Sequence, residues 1–130
     1  MGKKKVLLIM RRRMFSDALI RHSKTSANFD IFAIQDYEDA AGVAKDQGSS
    51  VVVVEIPESS GGETAERCLQ ICETIRVDQP SSKQILLCSE LDEPACQLAI
   101  KAKRENRIDD FLYFDVSIDY LLSKLESLIQ

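Results

Sequence analysis

Val51-Val52-Val53-Val54-Glu55-Ile56-Pro57 is the stretch that decides the fold. Four β-branched residues in succession crowd a helix but pack well on a pleated surface. A run that is apolar on both faces belongs in the middle of a parallel sheet with cover above and below. The reading predicts a central strand over Ser50–Ile56, stopped by Pro57. It also leaves a carboxylate, Glu55, at the end of that strand.

The same alternation of short apolar runs and helical periodicity extends in both directions. Upstream, Val6–Met10 reads as a buried strand bounded by charge, and a helix begins near Ser16 with Met14, Ala18, Leu19 and His22 on one face. Phe29–Ile34 reads as a second strand. Tyr37–Gln47 reads as a helix with Ala40, Val43, Ala44 and Gln47 in line, and Gly48 is placed to end it. Downstream, Ser59-Ser60-Gly61-Gly62 reads as a loop. A helix over Thr64–Val77 carries Cys68, Ile71, Cys72 and Ile75 at i, i+3, i+4 and i+7. Ile85–Cys88 is a fourth strand, and Asp92-Glu93-Pro94 opens a helix to about Asn106. Phe111–Phe114 is a fifth strand. Ser117 caps a last helix whose buried face is Ile118, Leu121, Leu122, Leu125 and Leu128. Strands alternating with helices predict an α/β fold: a doubly wound, five-stranded parallel sheet between two helical layers, formed by residues 1–130 as one domain.

Composition narrows the function classes. Apolar residues make up 45% and charged residues 29% of the chain, as in ordinary globular proteins. The net charge of −4 gives no reason to expect nucleic-acid binding. The charge is uneven: residues 1–24 hold eight Lys/Arg and one acid, the remainder nine Lys/Arg and twenty acids. Cys68, Cys72, Cys88 and Cys96 show no metal-ligand spacing, and three of them fall inside apolar periodic segments. They read as reduced, small core residues, which suits a cytoplasmic protein. Val6–Met10 is too short for a signal-peptide core, and no segment approaches membrane-spanning length. No nucleophile–base pair or metal cluster supports an enzyme, and no cofactor is expected.

In doubly wound sheets, function lies outside the carboxyl ends of the strands. Here those ends carry Met10 with Arg11-Arg12-Arg13, Glu55 with Pro57, Ser89, and Asp109-Asp110-Phe111-Leu112-Tyr113-Phe114-Asp115. Over essentially its full length the chain resembles the receiver domain of two-component response regulators. That family carries an acidic pair after strand one and a phospho-accepting Asp after strand three. A Ser or Thr ends its strand four, and a segment of the type Asp-Asp-aromatic-Leu-x-Lys-Pro forms strand five. Ser89 and Asp109-Asp110-Phe111-Leu112 match, with Phe111 as the switch aromatic. Met10 and Arg11 stand where the acidic pair belongs, Glu55 where the Asp belongs, and Phe114 where the Lys belongs.

These departures decide what the resemblance implies. Mg²⁺ requires hard oxygen ligands, which a thioether and a guanidinium do not supply. Glu55 displaces the nucleophile by a methylene. The chain therefore reads as a degenerate receiver: a phosphorylation-independent signalling or protein-interaction module. Its partner, or a second copy, would dock on the strand-five and last-helix side. Arg11 and Glu55 are expected to meet as a salt bridge that fills the place of metal and phosphoryl group. Ser89 reads equally as a helix cap or a switch hydroxyl. The alternative is a small-anion or nucleotide-binding domain using Arg11, Arg12, Arg13 and the Gly61-Gly62 loop.

Overall fold

In the computed structural model, which describes residues 4–24, 28–58 and 62–129, strands and helices alternate throughout. The strands are β1 (Lys4–Ile9), β2 (Phe29–Ile34), β3 (Val51–Glu55), β4 (Lys83–Cys88) and β5 (Asp110–Tyr113). The helices are α1 (Arg13–Ser23), α2 (Ala40–Gln47), α3 (Gly62–Asp78), α4 (Glu93–Arg104) and α5 (Ile118–Ile129). All strand pairs are parallel and the sheet order is β2-β1-β3-β4-β5. The valine run is therefore the central strand, in register with β1 (Ile9 beside Val54) and with β4 (Glu55 beside Leu87).

Strict alternation along that strand divides the core in two. Val52 and Val54 join Leu7, Ile9, Leu86 and Cys88 beneath α2, α3 and α4. Val51 and Val53 join Val6, Leu8, Met10, Ile85 and Leu87 beneath α1 and α5. Because both faces are covered, each β-branched side chain loses its water contact completely.

Helix ends follow local chemistry. Gly48 takes the left-handed conformation at φ 63°, and its N–H bonds back to the Lys45 carbonyl at 3.2 Å. Asp92 caps α4 through the Ala95 N–H at 3.2 Å, and Ser117 Oγ accepts the Tyr120 N–H at 3.0 Å. Two helices depart from expectation. α2 begins at Ala40 rather than Tyr37, because Asp36 Oδ1 accepts the Glu38 N–H at 2.9 Å and holds a turn there. In α1 the buried positions are Ser16, Leu19 and Ser23, while Met14 is 87% exposed. Of the face read as Met14, Ala18, Leu19 and His22, Leu19 is buried as expected and Met14 and His22 lie at the surface. The two serines disguise the buried face: each hydroxyl donates to its own helix, Ser16 to the Arg13 carbonyl at 3.0 Å and Ser23 to the Ile20 carbonyl at 2.8 Å. His22 lies at the surface and reaches Asp119 of α5 at 2.9 Å.

Candidate functional site

The site forms because β1 and β3 are neighbours and both end at the same edge. From there the chain turns into α1, whose first turn contains no acidic residue. The leading N–H groups of a helix need acceptors, and its positive end favours an anion. Glu55, from another strand, places a carboxylate at that end and accepts the amides of the chain just before the helix. Its Oε1 accepts the Arg11 N–H at 2.8 Å and the Arg12 N–H at 3.2 Å. Its Oε2 is paired with Nε of Arg12. Glu55 is only 1% exposed, so its carboxylate is enclosed at the strand end.

The cation expected to pair with Glu55 was Arg11; the structure uses Arg12 instead. Arg11 contributes only its backbone N–H to the carboxylate, and its side chain is exposed. The reason is the exit angle of the chain. Met10 points into the core beneath α1, which turns Arg11 outward and brings Arg12 back over the strand ends. Two rings hold the Arg12 guanidinium: its Cζ lies 4.6 Å from the centroid of Phe15 and 4.3 Å from that of Phe114. A guanidinium stacks on aromatic faces while its edge stays free for hydrogen bonds. Arg13 is exposed and starts α1.

Tyr37 was not singled out from the sequence, yet it closes the other side of the site. Its hydroxyl donates to the Glu55 backbone carbonyl at 2.6 Å. Burial, and then the negative Glu55, push the phenol well above its ordinary pKa, so it remains a donor at any ordinary pH. The usable sequence signal for Arg12 was Phe15, one helical turn on. For Tyr37 there was none, because only the folded chain brings it to β3. Together Arg11, Arg12, Glu55, Pro57, Glu58 and Phe114 line a shallow cleft of about 320 Å³.

The other expected positions are dispersed. Ser89 is 5% exposed, and its hydroxyl accepts the Leu91 N–H at 3.2 Å, which closes the turn before α4. Asp92, not Ser89, caps that helix. Phe111 is half-buried and meets Tyr113 edge-on at 5.9 Å between centroids. Asp110 is held by Lys103 at 2.9 Å and Lys124 at 2.6 Å. These residues, with Val116 and Tyr120, line a groove of about 640 Å³ between α4, β5 and α5. Of the proposed glycine loop, Gly61 lies outside the described residues and Gly62 is the first residue of α3.

Asp110 carries a pH prediction. Burial raises its carboxyl pKa, but hydrogen bonds from Lys124, Lys103 and the Phe111 N–H outweigh it and leave the group below the usual range. Its stabilising effect is present above the unfolded carboxyl pKa of about 3.9 and is lost as pH falls through the lower folded value. Asp110→Asn should cost about 1 kcal/mol at pH 7, because both lysines are partly exposed. Urea melts should find the two proteins converging in stability as pH falls below the unfolded carboxyl value of about 3.9; a constant gap would show that charge is not involved.

No protein-family model matches the sequence, and no curated protein matches it. Solved structures do match. The non-phosphorylated HemR receiver domain from Leptospira biflexa superposes with a TM-score of 0.77 at 14% identity, covering 98% of this chain and 95% of its own. A response regulator from Thermotoga maritima gives 0.76 at 17% identity, covering 98% of both chains. A structure described as adenylate cyclase from Rhodopirellula baltica gives 0.74 at 18%, covering 98% of this chain and 88% of its own. The described residues thus have the receiver fold. Among the described residues no helix is long and apolar enough to cross a membrane.

The positions that would hold Mg²⁺ in the resembled family do not fit the ion. The Met10 thioether is buried in the core, and the Glu55 carboxylate is already engaged by two N–H groups and a guanidinium.

Proposed function

We propose that this chain is a non-catalytic signalling module in which the Arg12–Glu55 pair holds the receiver-like site in one state without phosphorylation. One observation carries the reading: Glu55, at the phospho-acceptor position, is 1% exposed and has both oxygens occupied. A nucleophile must present a free lone pair to phosphorus in line with the leaving oxygen. Here the lone pairs face a guanidinium and the start of α1. Arg12 places a positive charge beside the acceptor position, and Phe114, at the lysine-equivalent position, clamps it. The docking side for a protein partner or a second copy is the groove of β5 and α5, where Phe111, Tyr113, Val116 and Tyr120 offer apolar surface between charged walls.

The test is incubation with Mg²⁺ and acetyl phosphate followed by intact-mass measurement. No added phosphoryl group is expected, on the natural chain or on Glu55→Asp, since Arg12 and Met10 remain in place. Stoichiometric modification of either protein would overturn the reading. The anion-binding alternative is weakened by the engagement of Arg12 with Glu55, which leaves Arg11 and Arg13 as the exposed guanidiniums of that run.

A further inference from the structure

We infer that Cys88 and Cys96 form a site of reversible oxidation, closing an intramolecular disulfide on reaction with a hydroperoxide. Cys88 is the last residue of β4 and Cys96 lies one turn into α4; their sulfurs are 3.8 Å apart. This is van der Waals contact, and a disulfide needs the sulfurs at about 2 Å. The two side chains come from different elements joined by the short 89–92 turn, so the approach requires side-chain rotation and a small shift of the start of α4. Nothing strong holds the thiols as they are. Cys96 Sγ donates to the Ser89 carbonyl at 3.1 Å and Cys88 Sγ to the Leu112 carbonyl at 3.9 Å, and thiol hydrogen bonds are weak.

Burial orders the chemistry. Cys96 is 9% exposed, whereas Cys88 is sealed at 0%, as are Cys72 at 0% and Cys68 at 1%. Burial pushes the Cys88 thiol up to about 12, so it does not start the reaction. Cys96 attacks the terminal oxygen of the hydroperoxide. The O–O bond breaks, an alcohol (or water, from hydrogen peroxide) leaves with the thiol proton, and Cys96 becomes the sulfenic acid. The Cys88 sulfur then attacks the Cys96 sulfur. The S–O bond breaks, the hydroxyl leaves with the Cys88 proton as water, and the disulfide forms. In sum two thiols are oxidised and one peroxide is reduced. The bond pins the start of α4 to the end of β4, beside Tyr113, which pairs with Cys88 across the sheet and lines the β5–α5 groove.

The experiment treats the native chain with hydrogen peroxide, quenches it, and measures intact mass and a non-reducing peptide map. The expected product has lost two hydrogen atoms, links the Cys88 and Cys96 peptides, melts at a higher temperature, and reverts with a phosphine reductant. Cys96→Ala and Cys88→Ala should each abolish the loss. Cys96→Ala is the variant to weigh most, being at the less buried position, and its circular dichroism melt reports whether it folds. Four results would overturn the inference: oxygen gained with no hydrogen lost, a bridge involving Cys68 or Cys72, a disulfide between chains, or no change under conditions that oxidise the urea-unfolded chain.

Discussion

Arg12→Ala is expected to destabilise the protein by about 3–5 kcal/mol at neutral pH, the range for stripping a buried charge of its partner. The variant leaves the Glu55 carboxylate enclosed, with only the Arg11 and Arg12 N–H groups to stabilise its charge. Arg12 itself is 37% exposed, so the reverse change, Glu55→Gln, should cost less: its guanidinium can turn to water, and the amide oxygen keeps an acceptor for the Arg11 and Arg12 N–H groups. The two effects should not add. The double variant should be more stable than their sum by about 1–3 kcal/mol, because the neutral side chain no longer requires a cation. Urea unfolding of the four proteins at pH 7 measures these costs and their coupling. Additive costs would mean that the ion pair is incidental, and the locked-site reading would fall with it.

Phe114→Lys, which places there the residue that the family resemblance implies, is expected to cost about 1–2 kcal/mol. The ring that covers one face of the Arg12 guanidinium is lost; such contacts contribute about 0.5–1 kcal/mol at exposed sites and about 2 when desolvated, and Arg12, at 37% exposure, lies between the two. A second cation then stands beside the first, where Coulomb repulsion adds to the cost. Phe114→Tyr keeps the face and should be nearly neutral, and Phe114→Leu should fall between the two. The same urea melts rank the three. If Phe114→Lys proved as stable as the natural protein, Arg12 would not need its clamp, and Glu55 would be free to take a different partner. Equal stability of Phe114→Tyr and loss in Phe114→Lys would show that this position packs against Arg12 in a way lysine cannot.

What the amino-acid sequence determined by itself was the order, type and approximate limits of all ten elements. Each rests on local periodicity, which needs no knowledge of the rest of the chain. The valines of β3 alternate between two cores, the apolar residues of α3 and α5 recur every three or four positions, and Gly48 stops α2 where only a left-handed residue fits. Periodicity failed in part in α1, where Ser16 and Ser23 face the core with their hydroxyls satisfied by the helix backbone, so that polarity misplaced part of the buried face. The site was legible only in outline. Strand-end logic brought Glu55 and the arginine run to one edge. Only the tertiary structure decided which arginine is used, because that depends on a single alternation: Met10 is drawn into the core, Arg11 is thrown outward, and Arg12 is returned over Glu55 between rings from α1 and from the end of β5. Tyr37 joins by reaching a carbonyl eighteen residues away in the chain. Contacts of this kind carry no local signature, since each partner looks ordinary in its own segment and acquires its role only where separate strands end together.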